Sequence, residues 1–453
     1  MSFSRVSLTS VALVALLATA PLAHADTLAA ALASTYNTNP TLNAQRAGLR
    51  ATDEGVPQAL SGYRPVVTGT ASIGRTTGNS SAGSATLTPR SAGITIEQPL
   101  FRGFQTQNNV KQAESSVLAG RESLRSTEQD VFLDAVSAYT NVLQTQAILT
   151  LREQNIVFLQ EQVRAATDRL KVGEGTRTDL AQTEASLSQG QTDYDVAVSN
   201  LNAAKATYLQ VIGMQPKSLV IPVFNDRLLP KSLDSAIATG LKNHPAILTA
   251  SFNVDTAAFN VKSIEGQLLP TVSLQGSVSH LDEQSSVGAW SNSASLTANL
   301  TVPLYEGGVV YSQARQAKET LGQRRILLDS ARDQVRASVD TTWGQLAAAR
   351  AAIVSANAQV KASELALAGV IEEQKVGQRT TLDVLNQQQT LIQARETLVI
   401  AQRSAIVAGY SVLSSIGALS ADRLGLKVAT YKPQQHYNAV RDKWFGLRTP
   451  DGR

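Results

Sequence analysis

Residues able to do covalent or acid–base chemistry are few and scattered. The chain has 453 residues and no Cys. That excludes disulfides, thiolate nucleophiles, Cys-ligated zinc and N-terminal lipoprotein acylation. His24 falls in a leader segment, and His244, His280 and His436 stand far apart. No HExxH, GxSxG or P-loop spacing occurs. Gly173-Glu174-Gly175 begins like a dinucleotide loop, but no strand precedes it. His244, before Pro245, reads as a turn residue, and His280 falls near a strand end. An enzyme, a cofactor and a metal all lack support, and the carboxylate pairs read as solvated helix faces. What recurs is a placed acid. Lys171, Val172, Gly173, Thr176, Asp179 and Leu187 return 204 residues later as Lys375, Val376, Gly377, Thr380, Asp383 and Leu391. In each copy Gly supplies the positive φ that ends a helix. The Thr-rich stretch beyond it offers N-cap candidates for the next helix. Asp179 and Asp383 stand where a helix dipole favours a carboxylate. Arg177 and Arg379 read on their own as solvated charges.

These motifs need long elements to hold them. Residues 102–172 carry Val110, Val117, Leu124, Val131 and Ala138 seven apart. A second register holds Ala135, Val142, Leu149, Ile156, Val163 and Leu170. The offset of four is a stutter in a coiled-coil pattern. A continuous helix of this length runs about 100 Å. Residues 177–213 return with Leu180, Leu187, Tyr194, Leu201 and Tyr208. Residues 306–376 and 380–417 repeat both helices, and Pro303-Leu304-Tyr305-Glu306-Gly307 repeats Pro99-Leu100-Phe101-Arg102-Gly103. The organisation is therefore a duplication: repeats at 26–213 and 231–417, a Pro-bearing linker at 214–230 and a tail at 418–453. Each repeat opens with a helix, interrupted at Asn39-Pro40 or His244-Pro245. The tail is expected to pack partly against the middle of the helices and to end loosely.

Aromatics are 5% and charged residues 17%, with net charge +4. No dense basic tract exists, so nucleic acid is not an expected partner. Arg5, the apolar run 11–20 and the small-x-small site Ala23-His24-Ala25 read as a secretory signal peptide over 1–25, with the mature chain starting at Asp26. No other stretch approaches 18 apolar residues, so a membrane can be entered only as strands.

Strands are expected at 64–75 and 91–99, separated by a Gly/Ser/Thr loop at 76–89. A second pair is expected at 270–281 and 292–302. Val272, Leu274, Gly276 and Val278 alternate with Thr271, Ser273, Gln275 and Ser277. Strands of about 9–11 residues with one apolar and one Ser/Thr/Asn/Gln face suit a tilted crossing of an outer membrane. Four strands cannot close a barrel, and unpaired edges are intolerable in lipid. The barrel must then be shared between two or more copies of the chain. The polar helices would extend it into the periplasm as a sleeve; heptads alone fit a solid bundle equally well.

The leader, the duplicated helix–strand–strand–helix–helix unit and the twin KVGxxTxxD hairpins resemble the TolC family of outer-membrane efflux and type I secretion channels. The resemblance covers nearly the whole mature chain. It implies a mainly α fold with a small membrane β part: a homotrimer sharing a 12-stranded barrel and a 12-helix tunnel. It also implies outer-membrane lipid around the strands, a periplasmic membrane-fusion adaptor and an inner-membrane ABC or RND-type transporter as partners. It places Asp383 in an acidic ring at the pore entrance. Arg379, Asp179 and Thr178 become latch candidates, with Gly173 and Gly377 as the hairpin turns. Asn386 stands where the family often has a second Asp, and Gln374 where it can have a latch Tyr. Trp444-Phe445-Gly446-Leu447 and the residues after it resemble type I secretion members. The competing reading is a periplasmic coiled-coil adaptor or structural protein without a pore.

Overall fold

Two X-Pro steps begin the architecture twice. Pro cannot donate its backbone nitrogen and suits the first turn of a helix. α1 (Leu28–Thr38) therefore stops at Asn39, and α2 (Pro40–Asp53) begins. The Asn39 side chain accepts from the Thr41 and Leu42 N–H groups. In the second repeat α6 (Leu233–Asn243) stops at His244 and α7 (Pro245–Glu265) begins, with His244 Nδ1 accepting from Ala246 N–H. His244 is thus an N-cap, held neutral-leaning by burial and by Arg125. The chain is seen in a computed structural model that describes residues 27–81 and 83–452. The signal peptide and its cleavage site lie outside the described residues.

The remaining elements follow the duplication. α3 (Gly55–Leu60) leads into β1 (Val66–Ile73), and β4 (Arg90–Arg102) leads into α4 (Gln105–Lys171) and α5 (Arg177–Ile212). Between β1 and β4 the expected loop is instead a hairpin of β2 (Thr76–Ser80) and β3 (Gly83–Leu87). Alternating Thr and Ser support extended pairing even in a Gly-rich run. The second repeat runs through β5 (Thr271–Asp282), β6 (Trp290–Thr301), α8 (Val309–Lys375) and α9 (Thr381–Ser415). α4 and α8 each hold 67 residues, about 100 Å of helix. By length and hydropathy α9 could cross a bilayer, which the sequence reading did not anticipate. It packs instead against α8 and α4, burying Leu391, Ile392 and Ala394.

The sheet order is β1-β4-β5-β6, all antiparallel. The register puts Val67, Ile96 and Gly276 in one row, and Gly69, Ile94, Val278 and Ala294 in the next. This face is apolar and open, with Val67, Ile94, Val278 and Leu296 all more than half exposed. On the other face Ser72 bonds Ser91, Ser277 bonds Ser295 and Ser279 bonds Ser293. Among the described residues β1 and β6 are unpaired edges.

The core lies at mid-height. Phe132, Tyr139, Tyr208, Ile212, Leu413 and Leu419 are fully buried there. Tyr139 donates to Val220 O and accepts from Val220 N–H, stapling the inter-repeat linker to α4. The first heptad register is buried as expected at Val117, Leu124, Val131 and Ala138. Below the stutter the expectation fails in part. Leu149, Ile156 and Val163 are only half-buried, and the closed seam runs through Asn155, Leu159 and Ala166. α4 packs against both α5 and α9 there, so it buries narrow seams against two neighbours rather than one broad stripe.

The tail is docked further than expected. Leu419 and Ala421 join the core, and Glu128 accepts from Ala421 N–H at 2.8 Å. α10 (Pro433–Val440) packs on α2, and Asp451 reaches Arg50. Burial pushes the Glu128 carboxyl up. Its raised folded value means the ionised form costs stability at neutral pH, and the cost fades as pH falls to the ordinary glutamate value. Glu128→Gln keeps an acceptor for Ala421 without that charge. It is expected to raise stability at pH 7 by about 1 kcal/mol, with the difference vanishing near pH 4.5. Thermal unfolding of both proteins at the two pH values checks this.

Candidate functional site

The candidate site is the end of the helical layer farthest from the strands, where α4 turns into α5 and α8 into α9. Gly173 (φ 83°) and Gly377 (φ 79°) make the two turns, each with open space around the missing Cβ. The left-handed backbone, not packing, requires Gly there. Both turns then close in the same way. Thr176 Oγ1 accepts from Asp179 N–H at 3.0 Å, and Asp179 Oδ2 accepts from Thr176 N–H at 3.2 Å. Thr380 and Asp383 repeat the capping box, with the Thr380 N–H to Asp383 Oδ2 bond at 2.9 Å. The repeated T-x-x-D is therefore the local signal that starts α5 and α9.

These bonds set the electrostatics of the tip. The Thr380 backbone and hydroxyl bonds hold the Asp383 carboxyl below the usual carboxylate range. Asp383 stays charged at neutral pH in the single chain. Arg379 donates to Glu373 Oε2 at 2.9 Å, which raises its guanidinium further. Gln374 donates to Thr381 Oγ1 at 3.1 Å. Asn386 and Thr178 are exposed. Each partnered polar group thus stays inside its own hairpin. Among the described residues no ion pair joins Arg379 to Asp179 within the chain.

The two hairpins meet a little farther up, at residues that sequence reasoning missed. Arg152 on α4 donates to Asp193 Oδ2 on α5 at 2.8 Å and to Glu396 Oε2 on α9 at 3.0 Å. Its Nε also lies 2.6 Å from Glu396 Oε1, a close charge contact without hydrogen-bond geometry. Gln189 braces Asp193 from one turn away. Burial pushes the Glu396 carboxyl up, and the charge and hydrogen bond of Arg152 oppose it. One turn of α4 nearer the tips, Gln388 donates to Asn155 at 2.9 Å, and both are buried. The available signal was polarity inside an apolar seam. Gln388 sits between Leu385 and Leu391, a spacing that faces a partner helix.

Sheet, stalk and tips together define a class: an open four-stranded ribbon with one apolar face, on a helical stalk that ends in paired acidic turns. The profile of the outer membrane efflux protein family matches residues 31–213 and 236–418, the two structural repeats. The chain belongs to that family. It is 47% identical over 432 residues to the outer membrane efflux protein BepC of Brucella suis, covering 95% of this chain and 94% of BepC. It is 23% identical over 345 residues to the alkaline protease secretion protein AprF of Pseudomonas aeruginosa, covering 75% and 72% of the two chains. Among solved structures, the Campylobacter jejuni outer membrane channel CmeC superposes with a TM-score of 0.76 at 15% identity, covering 92% of this chain and 89% of CmeC. CusC gives 0.77 at 16% identity, covering 87% and 92%. The fold is that of these TolC-like channels. A poreless adaptor has no support among the relatives.

Proposed function

We propose that three copies of this chain pool their ribbons into a 12-stranded barrel in the outer membrane and their helices into a periplasmic tunnel, forming the passive exit duct of a tripartite export system. The observation that carries this reading is the ribbon itself. Its edges β1 and β6 are unpaired, one face is apolar, and the other is a ladder of bonded serines. In lipid such edges must be paired by another chain, and the serine face suits water. A secreted precursor with a cleaved leader, a periplasmic adaptor and an inner-membrane ABC or RND-type transporter complete the proposal. Cell fractionation tests it: the protein is expected in the outer membrane as an SDS-resistant oligomer, and crosslinking is expected to recover an adaptor and a transporter. A soluble periplasmic monomer would overturn it.

The high identity to BepC, named for efflux, favours small-molecule cargo. The likeness to AprF and the tail sequence favour protein cargo as a second reading. A deletion strain separates them: hypersensitivity to toxic compounds marks the first, loss of a secreted protein the second.

The hairpin tips serve as the entrance. Copies of Asp383 brought together there would form an acidic ring that attracts cations and raises the affinity of each carboxyl for protons. Arg379, Asp179 and Thr178 would latch neighbouring hairpins, which requires Arg379 to leave Glu373. Asp383→Ala is expected to reduce the cation-to-anion permeability ratio at least about twofold in planar bilayers. Thr380→Ala breaks the same capping box but keeps the charge, and is expected to leave the ratio unchanged. Equal effects of the two would reduce Asp383 to a capping role.

A further inference from the structure

The C-terminal tail climbs one side of the molecule and turns back at its top. His436 Nδ1, half-buried, lies 2.9 Å from the buried Asp53 Oδ2, near the end of α2. Farther along, Arg64 donates to Lys443 O at 2.9 Å, and its guanidinium lies 4.8 Å over the Trp444 ring. Arg64 stands two residues before β1, so residue 444 is level with the foot of the sheet. Gly446 (φ 107°) then reverses the chain, Lys443 Nζ closes the turn on Arg448 O, and Asp451 comes back to Arg50. The apex of this loop is apolar and open. Trp444 is 64% exposed, Phe445 89% and Leu447 fully.

We propose that this apex, residues 444–447, is a peripheral anchor seated in the phospholipid interface of the inner leaflet of the outer membrane. It rests on the outer-membrane placement proposed above. Three observations select lipid as the occupant. The apex is level with Tyr63, Phe104 and Tyr305, the exposed aromatics at the sheet's lower end, while Trp290 marks the other end. Aromatic rings at both ends are what an interfacial belt requires. Lys443 and Arg448 flank the apex, while Arg441 is paired to Glu114 and Asp451 to Arg50; the cations left at the apex suit phosphate headgroups. A tip of Trp, Phe and Leu among cations has the composition of an interfacial segment, whereas the core of a subunit interface is depleted of charge.

The absence of Cys makes the test direct. Leu447→Cys, in the full chain purified as its oligomer, is labelled with a nitroxide and reconstituted in phosphatidylethanolamine/phosphatidylglycerol vesicles. Collision rates with oxygen, which prefers lipid, and with nickel-EDDA, which prefers water, are read by electron paramagnetic resonance. The expected result is an oxygen-to-nickel ratio at least about threefold above that of a label at Ser188→Cys on the helical stalk. Two results overturn the proposal: a ratio matching the stalk label, which puts the apex in water, or protection from both reagents, which puts it against a neighbouring subunit. A label at Leu296→Cys on the apolar strand face separates the two levels of the argument. If it reports lipid while residue 447 does not, only the anchor fails; if neither reports lipid, the membrane placement fails with it.

Discussion

Gly103→Ala is expected to prevent assembly, whereas the matching change in the second repeat, Gly307→Ala, is expected to be tolerated. The two glycines occupy the same place after β4 and β6, and both have positive φ, 57° and 65°. Their surroundings differ. A Cβ on Gly103 would stand 2.1 Å from Gly266 O, and a Cβ on Gly266 would stand 2.2 Å from Gly103 O. Both obstacles are backbone, held by the crossing of α4 over α7, and neither can rotate away. Gly307 has nothing within 4 Å. Its substitution costs only the left-handed conformation, about 1–2 kcal/mol. Gly103→Ala adds a steric conflict with the Gly266 carbonyl and the Leu269 Cβ and is expected to cost about 4 kcal/mol or more. The measurement is the yield of SDS-resistant oligomer and its melting temperature. Equal behaviour of the two variants would mean that the α4–α7 crossing is looser than described.

Arg152→Ala is expected to uncouple the two hairpins without disturbing the sheet. It leaves Glu396 and Asp193, 17% and 26% exposed, without their shared cation. Stranding a mostly desolvated carboxylate costs about 2–3 kcal/mol here, somewhat less than for a fully buried pair. Arg152→Lys is expected to recover part of this, because a compact ammonium cannot reach both carboxylates as the two ends of the guanidinium do. The loss is local. Amide exchange at the α4–α9 seam, around residues 155–163 and 385–396, is expected to speed at least about tenfold. Strand amides at 272–280 and 292–300 are expected to keep their rates. Slower or unchanged exchange at the seam would show that the network is a surface ornament rather than a tie.

How much of this could be read in the residues beforehand follows from the kind of information each feature carries. The hairpin turns were legible because Gly173 and Gly377 sit in a repeated local code whose meaning is complete within ten residues. Alternation made the four main strands visible, since period two needs no partner to be recognised. The β2–β3 hairpin was missed because its Gly, Ser and Thr composition is equally that of a loop. The seam of Asn155, Leu159 and Ala166 was missed because the heptads followed the large apolar residues Leu149, Ile156 and Val163, and only the packing of α4 against α5 and α9 decides which stripe closes. Arg152, Asp193 and Glu396 lie 41 and 244 residues apart; nothing local marks them as partners. The reading of Asp179 and Asp383 as helix-initiating acids and as pore residues was undivided in the sequence. The structure places both in capping boxes, which leaves a ring of such charges compatible with the same geometry.

An exit duct must, as several copies of the chain together, open water through lipid. Single-channel recording of the purified oligomer in a planar bilayer measures that directly. Discrete, reproducible conductance steps are expected, with cations preferred and the preference weakened by Asp383→Ala. A protein that inserts its strands into the bilayer yet passes no ions under any voltage, with entrance variants equally silent, would contradict it.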